Sequence, residues 1–125
     1  MASIIENSAS LLIAVAASDG DFEEKEKKQV IKALIELFGI SASESEALLG
    51  RTQIKNSNLI NQAANQLKNE TSKKQIKKLL SLLWAVSLSD GSRDLPEEQL
   101  IDELAERLGI SSLDNNLAKI IATHV

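Results

Sequence analysis

Apolar residues recur along this chain at helical spacing, and seven segments carry the pattern. The first spans about Ser3 to Ala17. Ser3 stands three residues before Glu6, the spacing of a capping box. The run "LLIAVAA" near its end is apolar nearly all round, as a central buried helix requires. The second spans about Glu23 to Phe38, with Val30, Ile31, Leu34, Ile35 and Phe38 in phase and Gly39 as a stop. A short third, about Ser43 to Gly50, has Ser43 and Glu46 at capping-box spacing. The fourth, about Asn58 to Lys68, places Leu59, Ile60, Ala63, Ala64 and Leu67 on one side.

The fifth, about Ser72 to Leu88, carries Ile76, Leu79, Leu80, Leu82, Leu83, Trp84 and Val86, and reads as a second central helix. The sixth, about Pro96 to Leu108, opens on a proline whose missing N–H is harmless in a first turn and stops at Gly109. The seventh, about Leu113 to Ala122, is expected to pack Leu117, Ile120 and Ile121. No segment alternates as a strand does, and both Asp-Gly pairs join helical patterns. The fold class expected is an all-α compact bundle.

The pattern also repeats. "SDGDFEEKEKKQVIKALIELFGIS" (18–41) aligns with "SDGSRDLPEEQLIDELAERLGIS" (89–111), each preceded by an apolar helix. Asp19 and Asp90 are 71 residues apart, and Gly39 and Gly109 are 70 apart. Two helix–Asp-Gly turn–helix hairpins packed about a pseudo-twofold axis would account for this. Gly20 and Gly91 are then expected directly after a helix end, where positive φ is common. The acidic residues that follow fall on the first turn of the next helix. There they complement the macrodipole and cap free N–H groups, at about 0.3–1 kcal/mol each.

A cation site competes with that purely structural account. In each copy a Glu lies seven residues after the Asp: Glu26 after Asp19, and Glu97 after Asp90. Should the two hairpins meet at this end, the four carboxylates converge. A carboxylate pair about 4 Å apart repels by on the order of 4 kcal/mol at an effective dielectric of about 20. A hard divalent cation such as Ca²⁺, Mg²⁺ or Mn²⁺ would reverse that sign. Asp21, Glu23, Asp94 and Glu98 are further candidate ligands or supports. The spacing is not that of an EF-hand, whose glycine stands at position six, and the Glu-x-x-His of di-iron bundles is missing.

Composition narrows the remaining choices. Aromatics make up 2% of 125 residues, so the core must be aliphatic. The net charge of −4 argues against nucleic acid as a main partner. The one basic cluster, "SKKQIKK" (72–78), lacks interleaved aromatics and reads as a solvated helix face. Without cysteine, thiol catalysis and zinc-thiolate sites are excluded. His124, next to last, is a poor anchor for a catalytic triad. No apolar run approaches the ~20 residues that span a bilayer, and the N-terminus has no basic signal-like region, so no membrane insertion is expected and the cytoplasm is the default compartment. Trp84, on an apolar helix, reads as core rather than as a ligand-stacking residue.

"LIAVAASDGDFEEKE" and "LLSLLWAVSLSDGSRDLPEEQLIDELAERLGIS" resemble the TerB-like family, named for a tellurite-resistance protein. "LLWAVSLSDG" is similar to its branch of stand-alone bacterial members. The resemblance runs through essentially the whole chain and implies one TerB-like domain over residues 1–125. It implies a bacterial cytoplasmic protein with metal-linked stress functions. Related domains in a membrane-anchored J-domain co-chaperone imply interaction rather than catalysis. The family's proposed metal-binding acids map onto Asp19, Glu26, Asp90 and Glu97. Ser18 and Ser89 depart from the usual Ala before Asp-Gly, and Arg93 stands where an apolar residue is usual, as Phe22 does in the first copy. A guanidinium there could neutralise the carboxylates without metal.

The expectation is therefore a divalent-metal-responsive binding or scaffold module linked to stress response, with no enzymatic activity. The alternative is a metal-free protein-interaction module that uses its acidic pole. A protein partner is expected in either case, and a homodimer through an exposed stripe stays open. Tellurite resistance itself does not follow from the family name.

Overall fold

The computed structural model describes residues 3–18, 23–52, 57–88 and 95–123. They form seven α-helices: α1 (Ile4–Ala16), α2 (Glu24–Phe38), α3 (Ala42–Arg51), α4 (Ser57–Glu70), α5 (Lys73–Ser87), α6 (Leu95–Arg107) and α7 (Ser112–Thr123). The described residues contain no strand, and the protein is an all-α bundle.

Serines cap α1, α3, α5 and α7. Ser3 Oγ accepts the Glu6 N–H at 3.1 Å and Ser72 Oγ that of Gln75 at 3.2 Å. In α3 the cap is Ser41, whose Oγ accepts the Glu44 N–H at 3.0 Å, not Ser43 as expected. "SASESE" contains two overlapping capping boxes. The earlier one adds two residues to the helix and follows directly on Ile40, which packs against the core. Gly39 at φ 67 and Gly109 at φ 79 end α2 and α6 in the left-handed region, as their positions predicted.

Helices α1 and α5 are central. Nine of the 13 residues of α1 are buried, so it meets neighbours on every side: α2, α3, α4, α5 and α6. Helix α5 touches α1, α2, α4, α6 and α7. Leu11, Leu12, Leu34, Leu83, Trp84, Ile101 and Leu104 are sealed from solvent. Each contributes about 1.5–3 kcal/mol through burial. One part-buried polar pair bridges two helices: Asn7 Nδ2 donates to Gln66 Oε1 at 2.8 Å, linking α1 to α4.

Two of the expected faces, on α2 and α4, hold except at one residue each, and that of α7 is turned outward. In α2 the inward residues are Val30, Ala33, Leu34 and Leu37, while Ile35 is exposed. In α4, Leu59 is exposed. It lies about 90° round the helix from the centre of the Ile60–Ala63–Ala64–Leu67 stripe at 100° per residue. The largest departure is α7. Leu117, Ile120 and Ile121 are 47%, 52% and 57% exposed, and Asn115 and Ala118 face inward instead. A buried indole decides this. Trp84 Nε1 must find an acceptor, and Asn115 Oδ1 takes it at 2.9 Å. Ala118 then allows α7 close to α5.

Candidate functional site

The two Ser-Asp-Gly segments follow α1 and α5, and those helices end alike. Ala17 closes α1 at φ −101, ψ 8, its N–H directed to the carbonyls of Ile13 and Val15. Leu88 closes α5 at φ −98, ψ 4, its N–H directed to those of Trp84 and Val86. Neither cap residue needs positive φ, so an Ala and a Leu serve. Both helices close at the residues the pattern gave as their last, Ala17 and Leu88, but not on the glycines. Gly20 and Gly91 stand three residues beyond the caps and are not the residues that end the helices; both lie outside the described residues.

Of the four carboxylates the sequence singles out, Asp19 and Asp90 lie outside the described residues, and of Glu97 only its place in the first turn of α6 is described. Asp21, Asp94, Phe22, Arg93 and His124 lie outside them too. Glu26 is described. It is the third residue of α2, and Glu23 precedes the helix as its N-cap. The two form a capping box in which Glu26 Oε2 accepts the Glu23 N–H at 3.1 Å. This is the cap-and-dipole role that acidic residues after the turn were expected to fill. It also fixes the orientation of a carboxylate whose chemistry suits a hard cation. Among the described residues no three Asp, Glu or His side chains are grouped closely enough to hold a metal ion.

Glu98, a candidate support, is engaged otherwise. Its Oε1 lies 3.3 Å from Lys119 Nζ, with the two side chains only 16% and 29% exposed. The same ammonium sits 5.1 Å from the centre of the Trp84 ring, a cation–π distance. The sequence pointed to Arg93 as the neutralising cation and missed Lys119. The clue lay in α7, where Lys119 is four residues after Asn115 and shares its face.

From Trp84 a polar relay runs outward. Asn115 accepts from the indole, and its Nδ2 donates to Asp102 Oδ1 at 2.9 Å. Three helices are tied by two bonds. Trp84 is fully buried, in agreement with its reading as core. The four lysines of α5 are exposed, as a solvated face should be. Lys77 pairs with Asp114 at 3.4 Å, and Lys78 Nζ donates to the Glu36 carbonyl at 3.1 Å.

A groove of about 470 Å³ runs between α2 and α5 and is bounded beyond by α7. Its lining includes Lys32, Ala33, Glu36, Leu82, Ala85 and Ile121. A depression of about 640 Å³ beside Asp102 and Glu106 offers mostly polar groups. No helix among the described residues is long and apolar enough to cross a membrane.

No match was found among curated proteins or among solved structures. The model of one family does match, described as tellurite resistance protein TerB, over residues 6–120. With nearly its whole length so matched, and with the all-α bundle and paired Asp-Gly segments expected of it, the chain belongs to the TerB family.

Proposed function

We propose that this TerB-family chain is a divalent-cation-responsive binding or scaffold module of the cytoplasm, linked to stress response. Asp19, Glu26, Asp90 and Glu97 are its candidate oxygen ligands, and Ca²⁺, Mg²⁺ or Mn²⁺ its candidate ions. The observation that carries the reading is the like closure of α1 and α5 directly ahead of the two Ser-Asp-Gly segments. Two equivalent helix ends launch two equivalent acidic segments, each with a Glu at the same distance beyond its Asp. Further support comes from Ser87. Its hydroxyl is buried near the end of α5 without a hydrogen-bond partner, and such groups in native proteins call for a reason.

A metal-free interaction module that works through its acidic pole is the second reading. The capping box favours it, because Glu26 already has a structural task.

Thermal unfolding of metal-stripped protein, titrated with the three cations beside an Asp19→Asn/Asp90→Asn double mutant, separates the two. A cation bound only by the native state adds about 2.7 kcal/mol at a hundred times its Kd. A rise in Tm that the double mutant loses supports the cation site. No rise, with the mutant as stable as the parent, leaves the metal-free module.

A further inference from the structure

We propose that the groove between α2 and α5 is a docking site for an amphipathic helix with an acidic flank, presented by a partner protein. The inference does not depend on the cation reading, since it concerns a different surface and a partner of opposite charge.

The groove exists because the residues facing it are small. Helices α2 and α7 both pack on α5 but do not touch each other. Between them stand Ala33 of α2, Ala85 of α5 and Ala122 of α7. Larger side chains at these places would fill the gap. Leu82, Val86, Leu88 and Ile121 are the other apolar members of its lining, and Gln29, Lys32, Glu36 and Ser81 the polar ones. On the α7 side the apolar surface continues, because Ile121 and Leu117 are four residues apart and both about half exposed. The groove's lining takes in residues 29–36 of α2 and 81–88 of α5, a length of about 11 Å or two turns of a bound helix. A largely apolar channel between helices suits the insertion of one amphipathic helix.

Charge selects the kind of helix. The protein is acidic overall, yet eight of its 14 basic residues lie on α2 and α5. Helix α5 carries Lys73, Lys74, Lys77 and Lys78 in its first six residues and no acidic residue at all. Cations at a helix N-terminus oppose its macrodipole, so this placement works against the stability of α5 itself. Lys77 and Lys78 have partners within the fold. Lys74 is exposed, on the stripe that continues through Lys78 and Ser81 to Ala85. On the opposite bank Lys32 lines the groove and Lys28 stands one turn before it, both exposed. Glu36 is the single acidic residue in the lining. Glutamates beside the apolar stripe of a docking helix would meet Lys32 in the groove and Lys28 and Lys74 beyond its ends.

Two synthetic helical peptides of about 20 residues test this. Both carry leucines at i, i+3, i+4 and i+7, spaced for one helical face; the remaining positions are glutamate in one and lysine in the other. Each is titrated into the ¹⁵N-labelled full chain at low salt. The acidic peptide is expected to shift the amides of Ala33, Ala85, Leu88 and Ile121 and to bind at least about tenfold more tightly than the basic one. Exchanging Lys32 and Lys74 for Glu should weaken it by about tenfold, the sum of a few exposed charge pairs. Ala85→Glu should block it, with circular dichroism confirming that each variant folds. Equal binding of the two peptides, no binding of the acidic one, or shifts confined to other faces would overturn the proposal. So would a chain that sediments as a dimer and dissociates on Ala85→Glu, which would give the groove to a second copy.

Discussion

Trp84 and Asn115 are joined by a buried hydrogen bond of 2.9 Å, and that bond sets which side of α7 faces the core. The seventh helix has a better hydrophobic stripe available in Leu113, Leu117, Ile120 and Ile121, and it turns that stripe outward. An unsatisfied indole N–H in the centre of the bundle would cost about 1–3 kcal/mol. Asn115 removes that cost and spends its own amide donor on Asp102.

Replacing Asn115 with Leu should therefore destabilise the protein by about 1–3 kcal/mol, since the indole loses its acceptor. Trp84→Phe alone strands Asn115 and opens a small cavity. The double variant should cost less than the sum of the single ones, because neither polar group is left behind. Urea unfolding of all four proteins measures the coupling. Strict additivity would mean that the bond does not orient α7.

Caps give a sharper contrast within one hexapeptide. Ser41→Ala should lower stability by about 1 kcal/mol, because its hydroxyl holds the Glu44 N–H. Ser43→Ala, at an exposed position inside the first turn of α3, should stay within about 0.5 kcal/mol of the parent. The two melting temperatures, measured side by side, decide which of the overlapping boxes is used in solution.

Glu26 can be tested for its two roles separately. Glu26→Gln keeps an oxygen for the Glu23 N–H, so the unliganded protein should lose only a few tenths of a kcal/mol, whereas Glu26→Ala should lose about 0.5–1 kcal/mol. A cation site would add a second difference. The Gln variant would then lose most of its response to added Ca²⁺, Mg²⁺ or Mn²⁺ while its cation-free melting stayed near that of the parent. Calorimetry with and without the ions reads both effects.

The helices were legible because aliphatic residues repeat at a period near 3.6 and because Ser, Gly and Pro punctuate them. Gly39 and Gly109 stop their helices where they were expected to. What misled was weight. In α7 three large aliphatics, Leu117, Ile120 and Ile121, outvoted one Asn and two Ala, although Asn115, Ala118 and Ala122 share a face at helical spacing. The cue was Trp84, a residue with a donor to satisfy on a helix with almost no acceptors. In the candidate site Glu26 was correctly placed in a first turn. Its reciprocal pairing with Glu23 was harder to read, since an N-cap Glu is less usual than Ser, Thr, Asp or Asn. Lys119 escaped notice because its partners, Glu98 and Trp84, come from two other helices and no local spacing connects them.

The position of α1 has a consequence for the order of events during synthesis. Helix α1 precedes every helix that encloses it, and three of those, α4, α5 and α6, come after α2 and α3 in the chain. About 40 residues separate the end of α1 from the start of α4. At roughly 5–20 residues per second, "LLIAVAA" waits about 2–8 s before the first of those three begins to appear. In that interval only α2 and α3 are at hand to cover it. The nascent chain thus carries an aliphatic helix that is only partly covered for seconds, with the faces meant for α4, α5 and α6 open to other apolar surfaces.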